Sequence, residues 1–82
     1  MKRVIMGIQV GDREAEAAKV QELLTKHGCA IKTRLGLHEA GNMCSSKGLI
    51  ILEFVQGKEE EIKALKDELA ALEDIKVRDM EF

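Results

Sequence analysis

Leu49-Ile50-Ile51-Leu52-Glu53-Phe54-Val55, read as LIILEFV, decides the fold of this sequence. Seven residues interrupted by one charge predict a strand covered on both faces, at the centre of a sheet. Reading onward, Gly57 marks a turn and Glu59-Glu60-Glu61 supply an acidic first turn to a helix. Ile62, Leu65, Leu69 and Leu72 then step by three, four and three, which lines one face of that helix. Ile75 to Phe82 follows as a last strand, with Ile75 and Val77 on one face.

Reading back from the same stretch, Cys29 to Leu37 alternates. Cys29, Ile31, Thr33, Leu35 and Leu37 stand against Ala30, Lys32, Arg34 and Gly36. Ahead of it, Ala17, Val20, Leu24 and His27 form one apolar stripe of a helix closed by Gly28, with Asp12 as the N-cap candidate. Arg3 to Val10 alternates as the first strand: Val4, Met6, Ile8 and Val10 lie on one face, Ile5, Gly7 and Gln9 on the other. The order is β-α-β-β-α-β. With right-handed crossovers it predicts an α+β, ferredoxin-like sandwich, a four-stranded antiparallel sheet with both helices on one face.

The chain's 82 residues leave room for one domain, 1–82, and the absence of proline or low-complexity sequence gives no internal boundary. A chain of this size buries a thin core, filled by aliphatic side chains because Phe54 and Phe82 are the only aromatics. Thirteen basic against fifteen acidic residues leave a net charge of −2 and no uniform basic field for a phosphate backbone. The scarcity of aromatics also argues against base stacking, so no direct nucleic-acid contact is expected. No run approaches the ~20 apolar residues of a membrane span, and the seven-residue stretch Val4–Val10 lacks a cleavage site. The expected location is cytoplasmic, with Cys29 and Cys44 as reduced thiols.

Helices on one side leave the other side of the sheet bare. Ile5, Gly7, Ile51 and Met80, with Arg34 and Gly36, are the candidate interface residues, and Lys32, Arg34 and Arg78 would border the patch. An apolar strip with a charged rim on a thin-cored domain favours self-association through the sheet, as a dimer or a tetramer. Gly7 and Gly36, with the loop from His38 to Gly48, are the expected participants in binding a small ligand or metal near that interface, because their missing side chains allow close approach.

His38 to Gly48 is longer than a hairpin turn needs, and chemically dense. His38, Glu39 and Cys44 read as ligands for zinc, nickel or copper, with a neighbouring chain completing the set; the alternative is an ordinary strand-end histidine and loop thiol. Ser45, Ser46 and Lys47 read as an anion site or as a solvated turn. Catalysis by Cys44 with His38 as base lacks an orienting partner and a walled pocket, so no enzyme is expected. Cys29 is read as a small core side chain, and His27 as a helix end that suits the dipole.

Val10-Gly11-Asp12-Arg13-Glu14, Arg34-Leu35-Gly36-Leu37 and Gly48-Leu49-Ile50-Ile51 resemble the small iron-only hydrogenase system regulators. That family is similar in fold to the metal-sensing C-terminal domain of the nickel-responsive regulator and to the ACT ligand-binding domains. The resemblance covers nearly the whole chain and implies an ACT-like fold. It also implies a non-enzymatic transcriptional or hydrogenase-system regulator that homo-oligomerises and binds a small ligand or a divalent metal such as nickel, zinc or iron near a subunit interface. Two departures stand out: no ribbon-helix-helix precedes the first strand, and Gly36 and Ala40 flank His38 where the nickel site has an H-x-H pair. The other function class is an adaptor that binds a protein partner through the open sheet face.

Overall fold

A computed structural model describes residues 3–11, 14–38 and 48–82, the side chains of Glu14 and His38 excepted. The elements follow the expected order: β1 (Val4–Val10), α1 (Glu14–Lys26), a short 3-10 turn (Gly28–Ala30), β2 (Ile31–His38), β3 (Gly48–Phe54), α2 (Glu59–Ala70) and β4 (Ile75–Glu81). The four strands form one antiparallel sheet in the order β2-β3-β1-β4, so LIILEFV is indeed an inner strand. This is the ferredoxin-like, ACT-like architecture. No described helix is long and apolar enough to cross a membrane.

Alternation sorts the sheet. Val4, Met6, Ile8 and Val10 of β1 are buried with Ile50, Leu52 and Phe54 of β3 and with Ile75 and Val77 of β4. Val20 and Leu24 of α1 and Ile62, Leu65 and Leu69 of α2 complete this one core cluster. At 25–30 cal/mol per Å², each fully buried aliphatic side chain contributes roughly 1.5–3 kcal/mol, and this aliphatic layer supplies most of the driving force.

Polar contacts fasten the ends of the elements to one another. Glu16, buried near the start of α1, accepts the Glu73 N–H at 3.1 Å, tying that helix to the turn before β4. Asp74 in that turn has φ +61, and a Cβ on Gly11 would fall inside its carboxylate. Gly11 is therefore held at its position by close approach, while its own N–H donates to the Asp74 carbonyl at 3.1 Å.

Strand β2 departs from the sequence reading. It starts at Ile31, because residues 28–30 form the 3-10 turn, and the register slips between Ile31 and Thr33. Ile31 pairs with the inward Phe54, whereas Leu35 and Leu37 pair with the outward Ile51 and Leu49. One extra residue at Lys32 flips the phase of everything after it. Cys29, expected in the core, is exposed on the turn. Arg34, expected on the rim of the open face, points with Gly36 to the helix side, since their partners Leu52 and Ile50 are inward.

Candidate functional site

Two surfaces follow from that register. The first is an open cleft of about 150 Å³ where α1 lies over the β2 edge. Its floor is Val10 and Ile50, its helix wall Ala17 and Gln21, its strand wall Arg34 and Gly36. The Arg34 guanidinium bonds the Gln21 side-chain oxygen and so spans from strand to helix. A Cβ on Gly36 would meet nothing within 4 Å, so glycine leaves the cleft open there. Chemically this is a small apolar trough with one guanidinium and one carboxamide, a donor set for a carboxylate or similar anion. Gly48 lies in the lining, and β2 ends at His38 opposite it.

The second surface is the bare face of the sheet. Ile5, Gly7, Ile51 and Met80 all share it, joined by Leu35, Leu37 and Leu49. Leu35 is 53% exposed and Met80 57%, high values for side chains of that size. Glu53 sits at one end of this face, with Arg3 at 3.2 Å, Lys32 at 4.0 Å and Thr33 at 3.5 Å.

Glu39, Cys44, Ser45, Ser46 and Lys47 lie outside the described residues, as does Asp12. Of His38 only the backbone position is described. Among the described residues, no three His, Cys, Asp or Glu side chains converge to hold a metal ion.

His27 is the residue whose role was missed. It follows α1, is buried, and its Nε2–H donates to Glu68 Oε1 at 2.9 Å on α2. Glu61 Oε1 lies 3.9 Å from its Nδ1, an atom with no hydrogen-bond partner among the described residues. Lys26 meets the same Glu68 at 3.0 Å. The sequence signal was the step of three from Leu24, which places His27 on the apolar stripe. The hydrogen bond from His27, then that from Lys26, holds the Glu68 carboxyl below its usual range.

A folded-state value below the unfolded one stabilises the fold at higher pH, and the contribution is lost as pH falls through the lowered value. Urea titrations of wild type and Glu68→Gln are therefore expected to differ above the ordinary carboxylate range and to converge below it. A constant difference from pH 7 to pH 3, on the order of the full titration range of a carboxyl, would show that the His27–Glu68 contact does not stabilise the fold.

No functionally curated protein matches the sequence. Among solved structures, protein TM1266 from Thermotoga maritima superposes with a TM-score of 0.78 at 25% identity, covering 100% of this chain and 99% of that one. The ACT domain from the GTP pyrophosphokinase of Chlorobium tepidum gives a TM-score of 0.69 at 16% identity, over 95% of this chain and 96% of that one. A dimeric ferredoxin-like protein from an uncultured marine organism gives 0.52 at 8% identity, over 99% and 92%. The latter two show a shared fold. The model of the TM1266-like iron-only hydrogenase system regulators matches residues 2–79, nearly every element described above, and the chain belongs to that family.

Proposed function

We propose that the chain is a non-enzymatic regulatory module whose copies associate through the sheet, and that it reads a small organic anion in the α1–β2 cleft. Family membership and the ACT-like fold support the regulatory role. The observation that carries the ligand reading is Arg34, turned to the helix side by the bulge and bonded to Gln21 beside the open position at Gly36. The apolar outer face supports self-association. A ligand in the cleft would act by population shift, favouring whichever arrangement of α1 and β2 binds it better.

Thermal unfolding in the presence of a panel of amino acids and short carboxylates tests the reading. A ligand at about 100 times its Kd stabilises by ~2.7 kcal/mol, which for a domain this small is roughly 10–20 °C in Tm. Arg34→Ala is expected to weaken that ligand by about 10- to 100-fold, the effect of one charge-assisted hydrogen bond. A response to nickel, zinc or iron instead, abolished by His38→Ala and by Cys44→Ser, would move the site to the 38–48 segment. An unresponsive protein that binds another protein stoichiometrically would favour the adaptor role.

A further inference from the structure

The α1–β2 cleft is one-sided in its hydrogen-bonding chemistry. Among the described residues that line it, Arg34 is the one charged side chain, and no carboxylate is present. The Arg34 guanidinium gives one N–H to the Gln21 side-chain oxygen and makes no ion pair among the described residues. A guanidinium carries five N–H groups in a planar fork and no acceptor, so donors remain for a second partner. With its oxygen taken, the Gln21 carboxamide offers its own two N–H groups beside them. The surroundings are apolar: Val10 and Ile50 form a buried floor, and Ala17 is half-buried on the helix above it.

We infer that this cleft takes an aliphatic monocarboxylate without an ammonium group, a short-chain or 2-oxo acid of about four to six carbons, and turns amino acids away. The inference rests on the cleft reading proposed above and names the class of anion it holds.

Charge, donor set and volume each narrow the class. One cation is matched by one anion, whereas a phosphate dianion would leave a second charge uncompensated over the apolar floor. An α-amino acid brings a carboxylate for Arg34 and, one carbon away, an ammonium whose N–H groups need acceptors. The described lining gives that ammonium no acidic partner, and the guanidinium beside it repels it. Glu16, next to Ala17 in the chain, is already committed to the Glu73 N–H and to Lys19. A 2-oxo group instead adds an acceptor where the Gln21 N–H groups can donate. The volume is about 150 Å³, and a cavity of roughly that size takes a molecule of about six carbons. A Cβ on Gly36 would meet nothing within 4 Å, so its absence leaves the entrance open.

Calorimetric titration of the full chain with matched probes tests this. Isocaproate, α-ketoisocaproate and leucine share one branched skeleton and differ only at the α carbon. The two acids should bind, and leucine should bind at least about tenfold more weakly than either. Arg34→Ala should weaken both acids by about tenfold or more. Gln21→Glu sets a carboxylate against Arg34 and supplies the missing acceptor. It should weaken the acids and cut the disadvantage of leucine to about threefold or less, with circular dichroism confirming the fold. Leucine binding as tightly as isocaproate, with both lost in Arg34→Ala, overturns the selection and leaves the cleft as an anion site. An unchanged preference in folded Gln21→Glu overturns it too, as does inorganic phosphate binding more tightly than either acid. Acids that bind Arg34→Ala and Gly36→Val as well as wild type, or no binding by any probe, remove the cleft as the site and the inference with it.

Discussion

Leu52→Ala is expected to remove about 3–4 kcal/mol of stability, roughly a quarter or more of what a chain of this length possesses. Leu52 has no exposed surface, sits at the middle of β3 and lies opposite Met6, itself fully buried. Truncating a buried leucine to alanine costs ~2–5 kcal/mol, the upper part of that range applying where neighbours cannot collapse into the void. A β3 position flanked by β1 and β2 is held in place on both sides, so little collapse is available. Domains this small have total stabilities of roughly 4–12 kcal/mol. Urea denaturation at 25 °C should therefore show a midpoint lowered by ΔΔG/m, and Tm should fall by about 12–30 °C. A loss below ~1.5 kcal/mol would mean that the aliphatic layer repacks, and that the description of a tightly filled core is wrong.

Gly36→Val is expected to do the opposite to the fold while disabling the cleft. A Cβ there meets nothing within 4 Å, and the backbone is in an ordinary strand conformation. Valine in a strand gains about 0.5–1 kcal/mol over glycine through reduced unfolded-state entropy and better β-propensity. Its branches would project into the same trough that Ala17, Gln21 and Arg34 line. Ligand affinity should fall by two orders of magnitude or more (about 2.7 kcal/mol), with Tm unchanged or raised. Calorimetric titration beside a melting curve checks both halves. An unchanged affinity in a well-folded variant would place the ligand elsewhere and withdraw the cleft as the site. Few substitutions separate function from stability this cleanly, because most site residues also pack.

Much of the fold was legible because its signals are local. Alternation in Arg3–Val10, the unbroken run at LIILEFV and the three-four-three steps of α2 each report burial on a surface with a fixed period. The candidate site was legible only in part. Gly36 and Arg34 were singled out, but for the wrong face, since alternation counted through Lys32 carries Arg34 outward. A bulge has no composition of its own, and nothing in Ile31-Lys32-Thr33 announces it. It arises where β2 must both follow β3 and leave the 3-10 turn, with the Val55 N–H held by the Ala30 carbonyl at 2.7 Å.

The sequence by itself determined where the strands and helices lie, the start of β2 excepted, the order of the elements, and the existence of a bare apolar face. Those follow from periods of two and 3.6 residues, which each segment carries alone. Tertiary structure decided what meets what. His27 and Glu68 are 41 residues apart and become partners only when α1 and α2 pack side by side. Arg34 reaches Gln21 only because one extra residue in β2 reverses the strand's phase. Arg3 meets Glu53 at 3.2 Å only once β1 and β3 are in register. Register and packing depend on contacts between distant segments, so no single segment's pattern contains them.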